Sequence, residues 1–374
     1  MAVFSASGLG GSELFNLEFL RRARACGCRV EALVPADGPL VAALEPIAER
    51  VLVVPIPSEI TALSRFDRRG GGAARAFVRL PEYRRRFDRM LRQTHGALAC
   101  MGFRSQLACA VTPAARARPR CWVVHEVVPA GPFGVAWGLA ARGADLVVTY
   151  SMSAALQPML RLAHPRVLGV RFDLTAFAAL PAPPTRPRTV GLVGDLFELK
   201  NHRGLIEVVR RLRERGEDVD GVLIGRETAA AGYAQSVRLA VAATGDSVTL
   251  RAVRPGEMPA ALADIDCLLQ LSTVPESFGR VCVEAMAAGR PVVAFDHGGV
   301  SELVDDGVTG VLCAPGDLDA VTAAVRRMRG DPELFARLSQ AARRVAAERW
   351  SSAREGETIG DALARFAVQV SPPA

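Results

Sequence analysis

The sequence lacks several features that would settle its class at once. Its eight cysteines include no C-x2-C pair and Cys26-Gly-Cys28 stands alone, which argues for reduced thiols in a cytoplasmic protein and against a disulfide framework or zinc knuckle. Five histidines without an H-x3-H spacing offer no zinc site either. Aromatic residues make up only 6%, and none interleave with a basic module, so nucleic acid is not expected as a partner. No apolar run approaches the roughly 18 residues of a membrane span, and no charged start with an apolar core reads as a secretory signal. G-x4-G-K-[ST] and G-x-S-x-G are both absent, which removes a P-loop and a hydrolase elbow.

What is present points to an α/β protein. At 374 residues, half of them hydrophobic and 23% charged, the chain can form two domains with separate cores. A net charge of +7 with a pI near 9.3 suits anionic partners such as sugar nucleotides or lipid headgroups. Ala2–Ser7 reads as a strand, Gly8–Glu13 as a glycine-rich turn, and 12–26 as a helix with Leu14, Leu17, Phe19 and Leu20 on its apolar flank. Arg29–Pro35 is the next strand. This unit opens a Rossmann-like domain, although its loop lacks the G-x-G-x-x-G dinucleotide spacing. Further strands are expected at Cys121–Glu126, ending in His-Glu, and at Asp145–Ser151.

The alternation resumes at Thr189–Gly194, a helix to about Arg215, Val219–Gly225, Ser247–Val253 and Cys267–Leu271, with helices at 317–329, 331–349 and 352–366. Between the halves, Pro181, Pro183, Pro184 and Pro187 mark a semi-rigid linker. The expected division is a first domain at 1–178, a linker at 179–188, a second domain at 189–351 and a closing helix within 352–374. Residues 65–92 hold ten arginines against Asp67, Glu82 and Asp88, with Phe77, Leu80, Tyr83, Phe87, Met90 and Leu91 at helical spacing. They read first as an amphipathic core helix with a solvated face, and second as a surface for an anionic membrane or acceptor.

The chemistry concentrates in Pro275–Ala294. A loop carries Glu276, a short helix opens at Phe278–Gly279 and carries Glu284, and Gly289-Arg290-Pro291 stops it before a buried strand. Gly279 permits close backbone approach, and the first-turn amides favour an anion by roughly 0.3–2 kcal/mol. Acceptor-only carboxylates beside such amides suit a ligand with both phosphates and hydroxyls.

This run, with Cys267–Ser272 before it and Gly298–Val304 and Asp306–Leu312 after it, resembles the Glu-x7-Glu signature of retaining GT-B glycosyltransferases of family 4. The resemblance is specific over 189–330 and loose before 187. It implies two Rossmann-like domains facing a central cleft, a nucleotide-diphospho-sugar donor (UDP- or GDP-linked), and transfer to an acceptor hydroxyl without a metal or other cofactor. The acceptor, a polysaccharide, lipid-linked glycan or small aglycone, stays open. So do a catalytically silent homologue and a GT-B epimerase or phosphorylase.

Residue by residue, the resemblance implies that Lys200 faces the diphosphate, Glu276 the sugar and reacting centre, and Glu284 the ribose hydroxyls. Ser277, Phe278, Gly279, Arg280, Val281, Gly194, Val253 and Arg226 would complete the donor site. His125, in the His-Glu pair that ends the strand Cys121–Glu126, would reach the transferred sugar, and Gly10-Gly11 would face the acceptor side. Val167–Phe177 matches the family only at Asp173 and Phe177, with Arg171-Phe172 replacing Gly-Val.

One departure carries a physical cost. The family usually has Gly-Arg five residues before the lysine, and this chain has Gly194-Asp195. A carboxylate ~4 Å from a phosphate charge costs about 4 kcal/mol at an effective dielectric near 20. Asp195 is therefore expected to turn away, to pair with a cation such as Arg203 or Arg226, or to contact a cationic acceptor. Asp264-Ile-Asp266 has the form of a metal-binding D-x-D, but it precedes a strand and should lie away from the site.

Overall fold

The computed structural model describes residues 1–61, 71–127, 131–227, 231–254, 256–352 and 356–370. Two units emerge, Met1–Val170 with the stretch from Gly356, and Arg171–Glu355.

The first unit is built on seven strands: β1 (Ala2–Phe4), β2 (Glu31–Val34), β3 (Arg50–Val53), β4 (Leu98–Met101), β5 (Arg120–Val124), β6 (Leu146–Thr149) and β7 (Arg166–Val167). Their order is β3-β2-β1-β4-β5-β6-β7, and neighbours run parallel. Helices cover both faces of such a sheet, so its central strands read as continuous apolar runs. Sequence patterning did not anticipate β3, β4 or β7.

Helix α1 (Gly11–Ala25) buries Phe15, Leu17, Phe19 and Leu20. Leu14, assigned to the same flank, is instead exposed. Helix α2 (Gly71–Leu91) turns Tyr83, Phe87 and Leu91 into the core that also holds Trp122 and Trp137. Arg84, Arg85, Arg86 and Arg89 are exposed, so this half of the basic segment is a core helix with a charged outer face. Arg65, Arg68 and Arg69 lie outside the described residues. Among the described residues, no helix is long and apolar enough to cross a membrane.

The second unit carries β8 (Thr189–Val193), β9 (Asp220–Ile224), β10 (Val248–Arg251), β11 (Cys267–Gln270), β12 (Val292–Phe295) and β13 (Gly310–Cys313), parallel in the order β10-β9-β8-β11-β12-β13. Its helices include α3 (His202–Glu214), α4 (Arg280–Ala287), α5 (Leu318–Gly330) and α6 (Pro332–Trp350). The last helix, α7 (Ile359–Val370), belongs to the first unit. It packs on α1, where Arg22 Nε donates to Asp361 Oδ1 at 2.7 Å. A Cβ on Gly360 would stand 2.5 Å from Arg22 Cβ, so glycine permits this approach. The helix starts at Ile359 rather than 352, because Thr358 N donates to Asp361 Oδ2 at 2.9 Å and caps it there.

The boundary between units falls at 170/171, ahead of the prolines. The run 179–188, read from composition as a linker, is fastened within the second unit. Arg290 Nη1 donates to Pro181 O at 2.6 Å, Arg343 Nη2 to Leu180 O at 3.0 Å, and Arg329 Nη1 to Pro187 O at 2.5 Å. Proline supplies carbonyl acceptors without competing donors, which suits a strap held by arginines. All eight cysteines are free thiols.

Candidate functional site

The site grows from the carboxyl ends of β8, β9, β11 and β12, where ligands of parallel α/β sheets gather. After β8 the chain passes Gly194 and Asp195 and makes a short 3-10 turn, Glu198–Lys200. Asn201 then caps α3, its side chain accepting from Gly204 N at 3.1 Å. A Cβ on Gly194 would lie 3.1 Å from Lys200 Cγ and Cδ, so the bare glycine provides the bed for the lysine stem. Lys200 Nζ donates to Glu276 Oε1 at 2.6 Å, and Ser272 Oγ donates to the same oxygen. Burial alone would push the Glu276 carboxyl up, but Lys200, Ser272 and the nearby Gln270 carboxamide together hold it below the usual range.

The loop bearing Glu276 is held by its neighbour after β12. Gly299 N donates to Glu276 O at 2.6 Å, and Glu276 and Gly298 form a parallel bridge. A Cβ on Gly299 would fall 2.4 Å from Ser277 O, which explains the Gly298-Gly299 pair. Gly279, at φ +105°, caps α4 in a conformation open to glycine, and Cys282 N donates to Gly279 O at 2.9 Å.

Glu284 is buried on α4. Arg280 Nε donates to its Oε1 at 2.7 Å, while the Arg280 guanidinium lies 5.1 Å from the centre of the Phe172 ring. Phe172 also meets Phe278, with ring centres 6.0 Å apart. The residue that broke the family pattern thus orients an arginine of α4. Burial pushes the Glu284 carboxyl up, and Arg280 only partly opposes it.

Asp195 takes one of its expected courses. Arg226, just past the end of β9, donates to it through Nε at 3.0 Å and Nη2 at 2.7 Å. This two-pronged pair neutralises the carboxylate and fixes a guanidinium at the sheet's carboxyl edge. Val253 is buried just after β10. Asp264 and Asp266 sit at the opposite end of β11. Asp264 pairs with Arg251, and Asp266 Oδ2 accepts from the Arg188 and Thr189 amides at 2.8 and 2.9 Å, so both do structural work.

His125, Gly10 and Gly11 belong to the first unit. Gly10 N donates to Glu13 Oε2 at 3.1 Å, closing the first turn of α1. His125 is buried at the end of β5, with Nε2 at 2.6 Å from Asn16 Oδ1 and Nδ1 at 3.2 Å from the Tyr150 hydroxyl. Both ring nitrogens are engaged and burial pushes its pKa down to about 3. These partners hold the imidazole neutral and in place within the first unit. Because its folded pKa lies below the ordinary 6.5, its contribution is complete above pH 6.5 and fades as pH falls toward 3. Wild type should therefore lose up to about 1.4 kcal/mol per pH unit below 6.5 relative to His125→Leu. Denaturant titrations between pH 7 and 5 check this; parallel curves would contradict it.

Sequence reasoning missed Asn16, Tyr150, Ser272 and Gln270 as site-forming residues. The last two end a strand buried on both faces, where no polar alternation marks a functional position.

Comparison with known proteins defines the class first. The chain overlays on the Anabaena protein HepE in complex with UDP and glucose with a TM-score of 0.78 at 21% identity, over 97% of each chain. It overlays on sucrose-phosphate synthase of Thermosynechococcus elongatus with a TM-score of 0.75 at 18% identity, over 98% of each. The fold is GT-B. Residues 177–345 match the family described as glycosyl transferases group 1, and the second unit is a domain of that family. Among curated relatives, alpha-D-kanosaminyltransferase of Streptomyces kanamyceticus is 30% identical over 45% of this chain and 43% of its own length. A GDP-mannose-dependent phosphatidylinositol monomannoside mannosyltransferase of Mycolicibacterium smegmatis is 29% identical over 56% and 58%. The chain spans less than half the length of the first curated relatives it matches.

Proposed function

We propose that this protein is a retaining glycosyltransferase that moves a sugar from a UDP- or GDP-linked donor to an acceptor hydroxyl, with no metal and no cofactor beyond the nucleotide sugar. The observation that carries this reading is the contact of Lys200 with Glu276 at the opening of α4. It sets a cation, a helix start and two carboxylates together at one sheet edge.

The chemistry suits that set. As the bond from the anomeric carbon to the phosphate oxygen breaks, positive charge grows on the carbon and negative charge on the diphosphate. Lys200 and the amides of Phe278, Gly279 and Arg280 stabilise the diphosphate, with the Arg226 guanidinium, paired with Asp195, as a further N–H donor. Glu276 faces the sugar, and Glu284 accepts from the ribose hydroxyls. The departing phosphate oxygen takes the acceptor's proton as the new glycosidic bond forms. Asp195 does not oppose donor binding in this scheme, since Arg226 cancels its charge. The exposed arginines of α2 suit an anionic acceptor or membrane surface near the first unit.

Calorimetry against UDP-, GDP-, dTDP- and ADP-sugars tests the reading, with Glu284→Gln as control. Glu284 has a folded pKa above its ordinary value. Ionised, it costs the folded state stability at neutral pH, a cost that disappears as pH falls through that pKa. Glu284→Gln should therefore unfold at the same temperature or higher at pH 7, yet bind nucleotide about tenfold more weakly. Equal nucleotide affinity in the variant would remove Glu284 from the site.

A further inference from the structure

The loop that carries Lys200 has a fastening of its own. It runs from Asp195 to Asn201, between Gly194 just after β8 and His202 at the start of α3. His202 is fully buried, and its Nε2 stands 3.0 Å from Gly194 O. Burial pushes its pKa down, so the ring is neutral at pH 7. A carbonyl oxygen only accepts, so Nε2 bears the single ring proton and donates it. Nδ1, 3.4 Å from the Tyr233 hydroxyl on the helix Ala231–Ala242, is then the acceptor, and the tautomer is fixed from both sides. A second contact presses on the same carbonyl. A Cβ on Gly225, just past β9, would collide with Gly194 O, and Gly194 N donates to Ile224 O at 2.8 Å. Lys200 lies on the residue held in this way, since a Cβ on Gly194 would meet its Cγ and Cδ at 3.1 Å. Other bonds close the loop without His202, among them Lys200 N to Phe197 O at 3.0 Å and Thr273 N to Leu199 O at 2.8 Å. Those set the path of the chain. The surface under the lysine stem is set by Gly194, and Gly194 by the histidine.

We infer that His202 is a positioning residue for Lys200: by donating to Gly194 O it holds the glycine bed on which the lysine stem lies, and so keeps the ammonium aimed at the donor's diphosphate. That ligand for Lys200 comes from the function proposed above, on which this role rests. A histidine that only filled the core would need no particular tautomer, and its removal would register in stability alone. A histidine that positions the lysine acts on binding, and only while the lysine is there to be positioned.

The test is a cycle of wild type, His202→Leu, Lys200→Ala and the double variant, titrated calorimetrically with UDP and GDP at pH 7, so neither acceptor nor turnover is needed. With the hydrogen bond to Gly194 O gone, His202→Leu should bind about fivefold more weakly than wild type. Added to Lys200→Ala, the same change should cost nothing further, because the group it aligns is absent. His202→Gln, whose carboxamide N–H can reach the place of Nε2, should stay within about twofold of wild type. Wild-type affinity in a folded His202→Leu overturns the inference. So does an equal loss in both backgrounds, or a His202→Gln as weak as the leucine variant. Wild type gives a further readout that does not depend on the leucine variant folding. Nitrogen NMR of its five histidines, with His202 assigned by its absence from His202→Gln, should show the ring proton on Nε2; a proton on Nδ1 alone would leave Gly194 O without this donor and overturns the inference as well. If neither nucleotide binds wild type, the donor site itself fails, an outcome seen before any variant is titrated, and the role of His202 falls with it.

Discussion

Lys200→Ala is expected to weaken UDP or GDP binding about ten- to a hundredfold at pH 7, the largest effect of any single change at the site. A charge-assisted hydrogen bond to phosphate contributes about 1.5–3 kcal/mol, which sets that range. A second effect acts in the same direction. Glu276 is held ionised largely by Lys200 against its burial, and without the lysine a carboxylate that has lost this cation would stand beside the incoming phosphate. Its depressed pKa also means that the pair contributes stability above pH 4.5 and loses it as pH falls through the folded value. Lys200→Ala should therefore flatten the acid side of the stability profile as well. Lys200 is the only lysine in the chain, so acetylation reaches a single side-chain amine. Saturating UDP should protect it. Equal affinity in Lys200→Ala, or acetylation indifferent to nucleotide, would take the lysine out of the diphosphate site.

Arg290→Met should be the most damaging change away from the chemistry, costing about 3–5 kcal/mol. Arg290 is among the largest fully buried side chains, yet it makes no ion pair among the described residues. Its guanidinium instead serves three carbonyls, Ile265 O at 3.1 Å, Pro181 O at 2.6 Å, and Ala288 O. Methionine fills similar space but leaves Ile265 O and Pro181 O without this donor, at about 1–3 kcal/mol for each that water cannot reach, while Ala288 O keeps Arg343 Nη2 at 3.1 Å. Relief of a buried charge offsets part of this, since burial already pushes the arginine pKa down. In a unit of this size the melting temperature should fall by roughly 10 °C. If 179–188 were a free hinge, tying Pro181 down would matter little, and the loss would stay below about 1 kcal/mol. Differential scanning calorimetry decides between these outcomes.

Local sequence determined much of this molecule. The alternation of apolar runs and amphipathic stretches marked out most strands of both sheets and the long helices of the second unit. The glycine ahead of α4 and the spacing of Glu276 and Glu284 set a loop carboxylate and a helix carboxylate on either side of one helix start. Tertiary structure decided which partners those residues meet. Lys200 and Glu276 are 76 positions apart and touch because β8 and β11 are neighbours in the sheet, an order that no local period encodes. Asp195 finds Arg226 because β9 flanks β8 on its other side. His125 finds its partners only because α1 and the end of β6 bring Asn16 and Tyr150 to its ring. The proline run became a strap only when Arg290 and Arg329 reached its carbonyls. Periodicity records which face of an element is apolar; contacts between elements depend on strand order, and strand order is settled by burial of the whole sheet.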